Sequence, residues 1–334
     1  MPSPEDPHGP FGCEHQPPLI PLIIVLGPTA VGKSDVAIQL AGRFDGEIVS
    51  ADSRLFYRGM DIGTAKPSVK DRSRVHHHLI DVADPDDTWS LALFQREAKN
   101  AIQSIYLKHH LPFLVGGTGQ FIRSIIESWS IPHAAPNPRL RQILTDWAKR
   151  IGPAELHAKL AHLDPQAANN IDPSNERRTI RALEVILSTG KRFSDQRKRG
   201  LILYNPLLLG LTCTRNELYR RIDDRISRMI DTGFIEEVRR LLEQGYSPEL
   251  PTLSAIGYSE IIAHIRGQMS LDEAIASMKR RTRIYVRRQA NWFKENDPHI
   301  HWFQTGSSVV DEMGYLIQDW LIGSKWNNNS PGFP

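Results

Sequence analysis

Gly27-Pro28-Thr29-Ala30-Val31-Gly32-Lys33-Ser34 is the stretch on which the fold turns. It follows an apolar run at 22–26 and opens a helical pattern with Val36, Ala37, Leu40, Ala41 and Phe44 on one face. Strand, glycine-rich turn and helix in that order are the context of a P-loop. The glycines let the backbone curl so that its N–H groups and the helix N-terminus face phosphate oxygens. Lys33 adds a point charge, and Ser34 can ligate Mg2+. A P-loop reports phosphate rather than ATP, so a kinase or other ATP-binding enzyme and a diphosphate-using transferase all remain open.

Outward from this string, short apolar runs at 22–26, 47–50, 112–115, 207–211 and 300–303 alternate with helical patterns. That alternation predicts an α/β fold, a P-loop parallel-sheet core with crossover helices. Between the prolines near 132–138 and about Gly200 the chain is charged and helical with no convincing strand, which predicts a helical insertion. The expected organisation is a disordered leader over 1–18, a discontinuous core over 19–128 and 201–318, the insertion over 129–200, and a tail over 319–334. C-terminal helices fill 215–296, where Leu271, Ile275, Met278, Tyr285 and Trp292 recur as a buried stripe. Thr282 and Gln289 fall on that stripe, as satisfied core contacts or as residues facing a channel.

The chain has 334 residues, 40% of them hydrophobic, and a formal charge of +3. No apolar run approaches the roughly 18 to 20 residues that span a membrane, and no signal pattern opens the chain, so a cytoplasmic protein with no membrane partner is expected. Cys13 and Cys213 are the only cysteines, which argues against a disulfide framework or a zinc finger. The mild positive charge permits a nucleic-acid partner without requiring one.

Asp52 lies just beyond the 47–50 run, near the phosphate loop if the sheet is parallel, because ligands bind outside the carboxyl ends of parallel strands. A helix N-cap is the alternative reading. Gly116-Gly117-Thr118-Gly119 follows another apolar run, and in a parallel sheet all three turns converge on one crevice. Leu79-Ile80-Asp81 is either a magnesium-aspartate strand or a structural edge. His76, His77 and His78 read as non-metal residues, since sequence neighbours do not readily share one metal face and no Cys or acidic partner sits at ligand spacing. Basic sets occur at Arg177, Arg178 and Arg181, at Arg197, Lys198 and Arg199, and at Arg280, Arg283 and Arg287. They are either solvated faces or an RNA-backbone surface.

Taken together these motifs resemble the tRNA dimethylallyltransferases, also called tRNA isopentenyltransferases. The likeness runs from Gly27 to Phe293: the 27–34 string, Asp52-Ser53, Tyr57-Arg58-Gly59-Met60-Asp61-Ile62-Gly63-Thr64-Ala65-Lys66-Pro67 and His77-His78-Leu79-Ile80-Asp81. It continues through Gly116-Gly117-Thr118-Gly119, Arg181-Ala182-Leu183-Glu184, Ala255-Ile256-Gly257-Tyr258, Arg288-Gln289 and Trp292-Phe293. The chain departs from the family at Gln120-Phe121, where Leu-Tyr is common, and this bears on the pocket lining. The zinc-finger tail of some relatives is not expected here.

The resemblance implies transfer of a dimethylallyl group from dimethylallyl diphosphate to the N6 amine of the adenine 3′ of a tRNA anticodon, with that base flipped out of its stack. It implies that Gly27, Pro28, Thr29, Ala30, Val31, Gly32, Lys33 and Ser34 hold the diphosphate, and that Ser34 holds Mg2+. Asp52 would be the general base, with Thr118, Lys33 and Arg181 assisting. Contacts to the tRNA anticodon stem-loop are implied for Asp52, Ser53, Arg54, Leu55, Thr118, Arg141, Arg177, Arg178, Thr179, Ile180 and Arg181, with the insertion as the clamp. A monomer is expected.

Overall fold

The computed structural model describes residues 19–131, 137–196 and 200–324. The expected leader over 1–18, Cys13, most of the expected tail and the Arg197, Lys198, Arg199 set lie outside the described residues.

Among the described residues, six strands form one sheet in which every pairing is parallel. In chain order the first half reads β1 (Ile20–Leu26), α1 (Lys33–Arg43), β2 (Gly46–Ser50), α2 (Val69–Arg74), β3 (His77–His78), α3 (Leu91–Leu107), β4 (Leu111–Gly116) and α4 (Gly119–Ile126). Among the described residues, four α-helices follow without a strand: α5 (Pro138–Ile151), α6 (Pro153–Leu163), α7 (Pro165–Asn169) and α8 (Glu176–Thr189). The sheet resumes with β5 (Tyr204–Thr212), then α9 (Arg215–Asp231), α10 (Phe234–Glu243), α11 (Tyr258–Ile265), α12 (Leu271–Gln289), β6 (Ile300–Gln304) and α13 (Val309–Gly323).

The strand order is β3-β2-β4-β1-β5-β6. Ile23 of β1 stands opposite Phe113 on one side and Leu207 on the other. Helices cover both faces, so the central strands are apolar at consecutive positions, and Leu22, Ile23, Ile24, Val25 and Leu26 are all inaccessible to solvent. Because all strands run the same way, the turns after β1, β2 and β4 emerge on one side, the geometric condition for a shared site.

The helices α5 to α8 build a second core from Leu144, Ala148, Leu156, Leu160, Ile180 and Leu183 among others. Pro138 in the first turn of α5, behind an Asn137 cap, and the left-handed Gly190 after α8 supply its start and stop signals. Gly200 N donates to Ser128 O at 2.8 Å, so this helical lobe leaves and rejoins the sheet at one point. At the other end α13 runs through Gly323 and packs beside α1, which corrects the reading of 319–323 as tail. Its apolar face, with Val309, Met313 and Ile317 buried, holds that last helix to the core.

Candidate active site

The P-loop, the Asp52 turn and the glycine loop meet at the carboxyl end of the sheet. A cleft of about 440 Å³ is lined there by Thr29, Lys33, Ser34, Ser50, Asp52 and Arg225, with Leu55, His77 and Ile80 among its walls. Close packing brings the turns together. A Cβ on Gly116 would stand 2.4 Å from Ala51 O, so only glycine lets β4 end against the residue preceding Asp52. A Cβ on Gly117 would meet Gln289 Nε2 at 2.4 Å.

Gln289, one of the polar residues on the α12 stripe, is buried and fully used. Its Oε1 accepts from Thr29 N at 2.9 Å and its Nε2 donates to Gly117 O at 3.0 Å. One side-chain amide thus spans from the phosphate loop to the glycine loop. Thr118, the residue after this bridge, precedes α4 and is half-buried, although it is not among the cleft-lining residues. Tyr285 places its hydroxyl beside Thr118 and Gln289. Burial of that hydroxyl, reinforced by the Asp52 charge, pushes the phenol up to about 12 even though the residue as a whole is 40% exposed. On α12 the buried positions are Ala274, Met278, Val286 and Gln289, so Tyr285 turns toward the site instead of joining the core.

Lys33 Nζ donates to Pro28 O at 2.7 Å beneath the loop. Burial of the ammonium lowers its pKa to about 8, against a raising influence of Asp52 and with a further lowering by Arg225. Asp52 is not a helix cap: residues 53–56 form a turn, and Asp52 Oδ1 accepts from Arg54 N at 3.0 Å. Its carboxylate remains on the cleft wall, where its charge opposes the desolvation of both Lys33 and Arg225. Of its neighbours, Ser53 is half-buried, Leu55 lines the cleft, and Arg54 reaches Thr252 O at 3.4 Å.

The arginine at the phosphate loop comes from α9 rather than from the helical lobe. Arg225 donates to Thr29 Oγ1 at 3.4 Å and to Thr64 O at 3.1 Å, and burial lowers its pKa. Arg221 donates to Val31 O at 3.0 Å, and Arg228 also lines the cleft. Spacings of four and three put the set on one helix face, a signal the sequence carries among the many surface arginines of α9.

Arg181, expected at the diphosphate, is absent from the cleft lining and donates to Glu184 Oε2 at 2.8 Å, as does Arg141. Glu184 is wholly buried. Burial pushes its pKa up, but the hydrogen bonds from Arg141, Arg181 and Asn137 N outweigh that and hold it low. Thr179 and Ile180 are buried, the latter in the second core, whereas Arg177 and Arg178 are exposed at the start of α8.

Three other readings change with the geometry. Asp81 accepts from Lys66 Nζ and Arg72 Nη1 at the sheet edge, so it is an ion-paired structural residue rather than a magnesium ligand. Arg283 donates to both oxygens of Asp223, which removes it from the free basic surface of α12. Phe121 is buried against Phe94, with ring centroids 4.0 Å apart, and Gln120 is exposed, so the departure at Gln120-Phe121 falls on the core and the surface and not on the cleft wall.

The donor set suits Mg2+ bound through phosphate. Such an ion takes few protein oxygens and keeps waters and phosphate oxygens, and the cleft offers the Ser34 hydroxyl and the Asp52 carboxylate rather than a cage.

The 57–67 segment is braced from outside the site. Glu237, buried on α10, accepts from the backbone N–H groups of Asp61, Ile62 and Gly63 and from Tyr258 Oη. This explains why Tyr258 belongs with the 57–67 motif despite their distance in sequence.

With this geometry established, comparison with known proteins is specific. The family model described as IPP transferase matches residues 55–296. The chain belongs to that family. A tRNA dimethylallyltransferase of Thermomicrobium roseum is 50% identical over 283 residues, covering 85% of this chain and 86% of that protein. One from a Roseiflexus species is 46% identical over 303 residues, covering 91% and 99%. Among solved structures, the tRNA isopentenylpyrophosphate transferase of Bacillus halodurans aligns with a TM-score of 0.68 at 38% identity, over 91% of this chain and 98% of that one. A eukaryotic dimethylallyltransferase solved in the act of modifying tRNA aligns with a TM-score of 0.76 at 26% identity, over 93% and 80%. The two solved structures share the fold described above. No helix among the described residues is long and apolar enough to cross a membrane.

Proposed function

We propose that this chain transfers a dimethylallyl group from dimethylallyl diphosphate to the N6 amine of the adenine 3′ of the anticodon in tRNA, releasing diphosphate. The observation that carries the reading is the Gln289 bridge between Thr29 and Gly117, beside a cleft where Lys33, Arg225 and Asp52 act on one another. The reading takes the P-loop as a diphosphate cradle, with Asp52 on its wall and the Thr118 loop tied to it through Gln289.

An amine conjugated to a purine is a weak nucleophile, so the reaction depends on a good leaving group and close approach. The backbone N–H groups of the P-loop, with Lys33 and Arg225, hold the diphosphate and stabilise the charge that grows on it as the C–O bond breaks. Ser34 would hold Mg2+, which would supply electrostatic neutralisation of that same leaving group. As the N–C bond forms, Asp52 accepts the proton leaving N6. Thr118, with the Tyr285 hydroxyl beside it, orients the donor carbon and the flipped base from the edge of the cleft. The exposed Arg177 and Arg178 bind the backbone of the anticodon stem.

The test is mass spectrometry of nucleosides from tRNA incubated with the purified chain, Mg2+ and dimethylallyl diphosphate, with AMP as an alternative acceptor. Prenylated adenosine in tRNA, little or none in AMP, is the expected result. Turnover of AMP with none on tRNA would assign the site to a small-molecule enzyme.

A further inference from the structure

Behind the edge strand lies a side-chain cluster that this chemistry does not use. Strand alternation turns His77 into the cleft wall and sends His76 and His78 to the opposite side. Ile48 N donates to His76 O at 2.9 Å, and this pairing carries Glu47 of β2 to the same place. His78 Nε2 stands 2.6 Å from Glu47 Oε2, and the His76 and His78 rings meet edge to face with centroids 4.5 Å apart. One ligating atom from each of the three residues lies within 4.8 Å of both others. The sequence reading of this histidine run therefore fails on both counts: alternate strand residues share a face, and the acidic partner comes from the neighbouring strand.

We propose that Glu47, His76 and His78 form a binding site for a divalent transition metal of the zinc class, distinct from the Mg2+ position at Ser34. Tetrahedral bonds of roughly 2.0–2.2 Å would set the ligating atoms about 3.4 Å apart, so the His78–Glu47 pair opens slightly while the wider separations to His76 close by up to about 1.4 Å. His76 is exposed and can rotate to close that gap. Two imidazoles and one carboxylate suit Zn2+, Co2+, Ni2+ or Cu2+ and do not suit Mg2+ or Ca2+. His110 completes the surroundings: its Nδ1 is held by Asp45 O at 3.0 Å, and its Nε2 lies 4.0 Å from Glu47 Oε1. Lys108 Nζ, 3.8 Å from the same oxygen, is the competing cation. The bound ion ties β2 to the two-residue β3, whose other face walls the cleft, and so fixes the weakest edge of the sheet.

The experiment uses the full chain stripped by a chelator. Titration with Zn2+ is followed by calorimetry, Co2+ binding by visible absorption, and both by thermal unfolding in excess Mg2+. The expected result is one Zn2+ per chain that excess Mg2+ does not displace and that raises Tm. His76→Ala, at an exposed position that the fold does not need, should weaken it at least tenfold. Glu47→Gln, which can keep a hydrogen bond to His78, should also weaken it, and Lys108→Ala should tighten it. Zn2+ affinity unchanged in both His76→Ala and Glu47→Gln, displacement by Mg2+, or no binding at all would overturn the proposal.

Discussion

At the scale of single residues, the cleft is a balance between two buried cations and one carboxylate. Lys33 has a folded-state pKa of about 8 against an ordinary 10.5, with desolvation the main cause. Below about 8 the ammonium is present to meet a diphosphate, and as pH rises through that value binding must first take up a proton. Affinity for inorganic pyrophosphate, measured by calorimetry, should therefore fall by up to about tenfold per pH unit on the alkaline side. Lys33→Met should bind more weakly and keep only the ligand's own pH dependence. The stability sign follows from the same shift. Between about 8 and 10.5 the unfolded chain binds the extra proton, so the burial penalty acts in full below about 8 and fades as pH rises. Lys33→Met should accordingly raise the Tm of the ligand-free chain at neutral pH. Asp52 supplies the opposing charge, and its removal has two readouts. Asp52→Ala should lower turnover by about a hundredfold or more while tRNA affinity stays within a few fold, as for loss of a general base. It should also move the alkaline limit of pyrophosphate binding to lower pH, because Lys33 loses its counter-charge. Unchanged turnover would remove Asp52 from the chemistry and leave it an electrostatic role alone.

At the scale of elements, the site is held by α12 reaching over the ends of β1 and β4. Gln289→Ala leaves Thr29 N and Gly117 O without their partner, a loss of about 1–3 kcal/mol for buried polar groups. The measurable consequence is a lower Tm with a raised KM for dimethylallyl diphosphate. Gln289→Glu should do worse, since a carboxylate cannot donate to Gly117 O. A KM unaltered in both variants would make the bridge a matter of stability only. This element also shows what could and could not be read in advance. The runs at 22–26, 47–50, 112–115, 207–211 and 300–303 all fall within strands, because a sheet buried on both faces demands continuous apolar sequence. Periodicity likewise put Gln289 on the inner face of its helix. Its partner Thr29 is 260 residues away, and no local pattern carries that information. The same limit hid Glu47 beside His78, 31 residues apart and joined only by strand pairing. Arg225 is a different case. Its spacing from Arg221 and Arg228 was legible, but α9 is rich in surface arginine pairs such as Arg220 with Glu217 and Asp224, which mask the face that matters. Arg181 shows the converse, an arginine in a family motif whose visible task is to neutralise the buried Glu184.

At the scale of the whole molecule, phosphate chemistry and the exposed arginine pair sit on different cores, and this separation makes their effects divisible. A net charge of +3 on 334 residues generates little long-range attraction for RNA, so affinity must rest on local clusters. In the α5–α8 lobe the arginines fall into two kinds. Arg141 and Arg181 converge on the wholly buried Glu184, and truncating either removes one of the two cations that compensate a buried carboxylate, which should appear as lowered Tm. Arg177 and Arg178 are exposed on the first turn of α8 and should leave Tm nearly unchanged when truncated. Each phosphate contact releases counterions, so the double substitution Arg177→Ala with Arg178→Ala should reduce the slope of log affinity against log salt by about 1–2. KM for tRNA should rise while kcat at saturating tRNA and pyrophosphate affinity stay as in the parent chain, because the cleft belongs to the other core. Filter binding across a salt series, alongside steady-state kinetics, reads both quantities. A normal salt slope in the double variant would move the RNA surface to another cluster, with the exposed Arg280, Arg287 and Arg288 on α12 the next to examine.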